Sequence, residues 1–127
     1  MKNLAGWALI ISLFLVSFKP FNIDEVATAI RSGNVDQLSI YLDYRVDISL
    51  PDKTDTYSKS QAEMIIRDFF TRNAVRNFQI KQRGETGGSE FCIGTLQTQN
   101  GDYRTSLFMK QKGDKLLLQE LRFQTVQ

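Results

Sequence analysis

Three paired turn signals, Gly87-Gly88, Asn100-Gly101 and Gly113-Asp114, punctuate the C-terminal part of the chain, and between them apolar and polar residues alternate with a period of two. Glycine and asparagine enter positive φ at little cost, which is what a two-residue turn between antiparallel strands requires. Four strands joined by three hairpins follow, and this meander limits the possible folds more than any other feature. With two-residue loops, residue 86 faces 89, 99 faces 102 and 112 faces 115, and directly paired residues share a face. One face then collects Phe78, Ile80, Phe91, Ile93, Phe108, Leu117, Leu121 and Phe123, and is the expected core face. The other is charged at one end, with Lys81, Arg83, Glu85, Glu90, Glu120 and Arg122. In its middle it carries Cys92, Leu96, Leu107, Met109, Leu116 and Leu118. A one-residue bulge reverses every face beyond it. The opposed acids Glu85 and Glu90 place the expected irregularity near the first loop.

Upstream the period is helical. Ile23, Val26, Ala27 and Ile30 recur on one side, Asn22 and Glu25 stand as a capping box, and Gly33 marks the end of the helix. A short helix is predicted over residues 35–42, then a half-buried strand over 45–53 in which Val46, Ile48 and Leu50 alternate with Asp47 and Ser49 until Pro51. The strongest helix begins near Ser60, where Ser60 and Glu63 suggest a second capping box. Ala62, Ile65, Ile66, Phe69 and Phe70 form its apolar side.

Residues 4–18 carry no charge, follow Lys2 and precede Lys19-Pro20. As a helix this run spans roughly 22 Å, short of the ~30 Å hydrocarbon core of a bilayer. It reads as a signal peptide over residues 1–20, with an exported domain over 21–127. An uncleaved N-terminal anchor is the alternative, and the only membrane association expected. Sixteen Lys and Arg face fourteen Asp and Glu. Setting Lys2 and Lys19 aside leaves the domain neutral, so it lacks the electrostatic footprint of a nucleic-acid binder. Cys92 is the only cysteine, which excludes an internal disulfide.

Two short helices, a strand, a long amphipathic helix and four antiparallel strands resemble the cystatin-like α+β cone of the nuclear transport factor 2-like superfamily, in which a curved sheet wraps the long helix. The stretches "AIRSGNVDQLSIYLDYRVDISLPDK", "YSKSQAEMIIRDFF" and "GDKLLLQELRFQ" are similar to a bacterial family of exported domains of unknown function within it. The resemblance implies the fold and carries no catalytic motif, because the architecture hosts isomerases, dehydratases, binding modules and dimerisation domains alike.

The chain has no histidine, and so lacks both the commonest general base and the commonest metal ligand. Isomerase-like relatives use a carboxylate and a tyrosine inside the cone, yet the pairing above turns Glu85, Glu90 and Glu120 outward. Tyr41, Asp43 and Asp47 are the remaining candidates, each with a plainer role as a turn or surface residue. No catalytic residue, cofactor or metal ligand is assigned. The leading expectation is a non-catalytic binding or dimerisation module, a homodimer or a partner of another exported protein, docking through Leu96, Leu107, Met109, Leu116 and Leu118. The alternatives are a small-molecule or lipid-binding cone lined by Phe69, Phe91, Ile93, Phe108, Phe123, Arg104 and Gln119, or an isomerase-like enzyme.

Overall fold

The computed structural model describes residues 22–126; the proposed signal peptide lies outside them. The elements run α1 (Ile23–Arg31), α2 (Val35–Ser39), β1 (Leu42–Leu50), β2 (Lys53–Ser58), α3 (Lys59–Arg72), β3 (Val75–Thr86), β4 (Ser89–Thr98), β5 (Gly101–Lys112) and β6 (Lys115–Thr125). The six strands form one curved sheet in the order β2-β1-β6-β5-β4-β3. All neighbours are antiparallel except β1 and β6.

Local chemistry accounts for the helix ends. Asn22 accepts a hydrogen bond from the Glu25 N–H at 3.1 Å, and Asp24 and Glu25 occupy the first turn of α1, where the helix dipole favours negative charge. Gly33, at φ 64°, closes the helix with paired bonds from its own N–H to Ile30 and from Asn34 to Ala29. The capping box of α3 sits two residues earlier than its sequence suggests. Ser58 and Gln61 exchange hydrogen bonds, not Ser60 and Glu63. Helix α2 stops at Ser39, leaving room for β1 to start at Leu42. Strand β2 has no sequence forecast, because its residues are mostly exposed and polar and so carry no apolar alternation.

The inner face of the sheet and the apolar sides of the helices share one core. Val26, Ile30, Leu38, Ile66 and Phe69 meet Val46, Ile48, Phe78, Leu107 and Phe123 there. Gly94 is required on this face. A Cβ on it would come within 2.5 Å of the Gln79 carbonyl oxygen and 2.7 Å of the Phe78 ring, so its absence lets that ring lie across the strands.

The expected core face is split in two. Phe78, Ile80, Leu121 and Phe123 face inward, whereas Phe91, Ile93, Phe108 and Leu117 do not. Two bulges are responsible. The β3–β4 register slips between Ile80 and Gln82, and in the β5–β6 ladder Phe108 faces Glu120 while Met109 faces Leu118, leaving Gln119 unpaired. Each extra residue reverses the alternation beyond it. The first loop, by contrast, is a regular two-residue turn, with Thr86 opposite Ser89. The second hairpin turns one residue early, pairing Thr98 with Gly101, which leaves the relative faces of β4 and β5 unchanged.

Candidate functional site

Leu96, Leu107, Met109, Leu116 and Leu118, expected on an exposed face, are buried in the core. They form no surface, because the bulges at Lys81 and Gln119 turn their side of the central strands inward. The expected cone lining divides likewise. Phe69 and Phe123 lie inside, Phe91, Ile93, Phe108 and Arg104 sit on the outer face, and Gln119 occupies the bulge.

The outer face is built from the residues displaced from the core. Phe91 and Phe108 are direct cross-strand partners on β4 and β5, Ile93 faces Ser106, and Leu117 faces Lys110. The Phe91 ring rests on Gly84, where any Cβ would collide with it. Phe108 is 36% exposed. Beside it lies a depression of about 170 Å³, bordered by Ile93, Ser106, Glu120 and Arg122. Glu120 and Arg122 pair at 3.0 Å, so of the three acids expected to point outward Glu120 does, whereas Glu85 and Glu90 share the inward face of Cys92 and Met109, beside Ile23 of α1, because the bulges turn that side of the strands inward.

Aromatic rings cluster in the interior of the cone. Phe69 stacks on Phe123 at 4.4 Å and meets Tyr103 edge-on at 5.1 Å, while Phe70 packs against Phe123 from the side. A cleft of about 390 Å³, bordered by Pro51, Asp52, Phe69, Arg72, Asn73 and Tyr103, opens onto this cluster. Tyr103 donates to Asn73 Oδ1 at 2.9 Å, and Arg72 is engaged by Asp68.

The polar groups from the α2–β1 region are spoken for. Tyr41 is buried and donates to Glu25 Oε2 at 3.2 Å. Asp47 accepts from Thr56 on the exposed side of β1. Asp43 is only 3% exposed and receives Lys112 at 2.8 Å, Gln119 at 3.1 Å and the Tyr44 N–H at 2.7 Å. Burial pushes its carboxyl upward, but these donors outweigh that effect and hold it below the ordinary aspartate value. An ionised carboxylate with all its donors in place is a structural anchor rather than a proton carrier. Sequence reasoning missed this role, since the Gln119 bulge that delivers the amide has no local signal. Burial, opposed by Arg83, pushes the Cys92 thiol up to about 11, so it is a packed, protonated side chain. Among the described residues no group of three or more acids and cysteines could hold a metal ion.

The model of a domain family of unknown function, DUF4783, matches residues 23–124. The chain belongs to the DUF4783 family. Among solved structures, a DUF4783 protein from Bacteroides ovatus is 30% identical, with 81% of this chain and 94% of that one covered at a TM-score of 0.78. One from Bacteroides uniformis is 29% identical, with 82% and 96% covered at 0.79. An NTF2-like protein of unknown function from Cytophaga hutchinsonii shares the fold at 9% identity and a TM-score of 0.62, with 84% and 91% covered. No curated protein matches the chain. The DUF4783 domain therefore has the nuclear transport factor 2-like α+β fold, as its sequence pattern implies.

Proposed function

We propose that this DUF4783 domain is an exported, non-catalytic binding module that associates with a second copy of itself through the outer face of the sheet. The observation that carries this reading is the row Phe91, Ile93, Phe108 and Leu117 on the face opposite the helices. Apolar residues grouped on an uncovered sheet face mark contact surfaces. A two-fold interface must be self-complementary, and here protruding Phe108 adjoins a depression flanked by one acid and one base. The packing of Phe69 and Phe70 against Phe123 argues against a lipid cavity between them, and the binding of Asp43, Asp47 and Tyr41 in structural contacts argues against isomerase chemistry. Export rests on residues 4–18. No helix among the described residues is long and apolar enough to cross a membrane.

Burying a phenylalanine contributes ~1.5–3 kcal/mol, and a charge in its place must be desolvated. Phe108→Lys should convert a dimer to a monomer in analytical ultracentrifugation with the circular dichroism spectrum unchanged. A monomeric wild-type domain, or a dimer that survives the substitution, would overturn the reading. For export, mass spectrometry of the protein from its native cell should find a chain starting near Pro20 or Phe21; intact Met1 in the cytosol refutes it.

A further inference from the structure

Strand β6 outlasts its neighbour. The β1–β6 ladder ends at Ser49 and Arg122, after which β1 runs out at Leu50 and Pro51 begins the turn into β2. On its other side β6 stays paired with β5 through Thr105 opposite Phe123, Arg104 opposite Gln124 and Tyr103 opposite Thr125. Successive backbone groups of a strand point alternately to its two neighbours, so the groups of residues 123–125 turned away from β5 face no strand.

A groove of about 750 Å³ runs along this open edge. Leu50 and Pro51 form an apolar wall, and the lining includes Arg104 and Arg122 but no acid. Arg104 makes no ion pair among the described residues. Arg122 spends one nitrogen on Glu120, and a guanidinium has five N–H donors in all. Thr54 donates its hydroxyl to Ser49 at 3.1 Å, which leaves the Ser49 O–H to point its proton elsewhere.

An open strand edge asks for an extended backbone, and a pair of arginines asks for carboxylates. We propose that this groove binds an extended acidic peptide, added as a strand beside residues 123–125 with its carboxylates on Arg104 and Arg122. The groove shares Arg122 with the rim of the depression beside Phe108, so peptide binding is read both in wild type and in a variant altered at the self-association face.

The test is an amide NMR titration of the domain with the capped peptide Val-Asp-Val-Asp-Val, run on wild type and on the Phe108→Lys variant. Saturable shifts are expected at Ser49, Leu50, Gln124, Thr125 and Val126 in both proteins. Methylating alternate peptide nitrogens, or combining Arg104→Gln with Arg122→Gln in a protein of unchanged circular dichroism, should each weaken binding about tenfold, roughly 1.4 kcal/mol. No saturable shift up to millimolar peptide overturns the proposal. So does equal binding of the Val-Lys-Val-Lys-Val peptide. If inorganic phosphate alone saturates the same residues as tightly as the acidic peptide, the groove is an anion site and the added-strand geometry is wrong.

Discussion

Asp43 shows how one buried side chain ties three separate pieces of sequence together. It sits near the start of β1, yet its carboxylate is held by Lys112 from the end of β5 and Gln119 from the β6 bulge. Lys112 also lies 4.9 Å from the centre of the Tyr44 ring, so the cation is shared between a charge and a π face. Because the folded-state pKa is depressed, the stabilisation is fully present above the unfolded value, about 3.9. It is lost as pH falls through the lower folded value. Asp43→Asn should lower the melting temperature at pH 7, and the gap to wild type should close as both proteins are taken below about pH 4. A gap that stays constant down to pH 2 would show that the carboxylate charge is not what stabilises this corner.

At the level of elements, legibility followed the reach of each signal. Helix α1 could be read because Asn22, the apolar spacing and Gly33 all lie within a few residues of one another. The turns at Gly87-Gly88 and Gly113-Asp114 were visible for the same reason. The bulges at Lys81 and Gln119 were not, since a bulge is a mismatch between two strands and neither strand alone records it. That is why Leu107, Met109 and Leu118 were expected outside and Phe91 and Phe108 inside, although hairpin pairing correctly grouped the members of each set on β4 and β5. Gln119 makes the point testable. Leu116, Leu118, Leu121 and Phe123 are all buried, and the extra residue absorbs the odd, three-residue step between Leu118 and Leu121. Deleting Gln119 brings the four to even spacing on one face, so cooperative thermal unfolding should survive the deletion, at the cost of the bond to Asp43 that Gln119→Ala also removes. Loss of the cooperative transition on deletion alone would show that the bulge does more than set the register.

Across the whole molecule, the inner and outer faces of the sheet respond to charge in opposite ways. Phe108→Lys is expected to alter only association. Leu118→Lys places an ammonium where the leucine is fully buried, with no acid assigned to receive it, and should leave the chain unfolded by circular dichroism. A soluble, folded Leu118→Lys domain would contradict the core described above. The parallel pairing of β1 with β6 has a separate consequence, in time rather than space. The first strand of the sheet finds its place only against the last, with a separation in sequence of 76 residues between Asp43 and Gln119. Contacts of such range close a long loop before they return any free energy, and they slow folding accordingly. In a chain growing from its N-terminus α1 can pack on β3 and β4 as soon as these exist, whereas the β1–β2 hairpin has no sheet to join until β6 has been made. Until that moment one end of the sheet stays unclosed, and the hairpin that will seal it has nothing to hold.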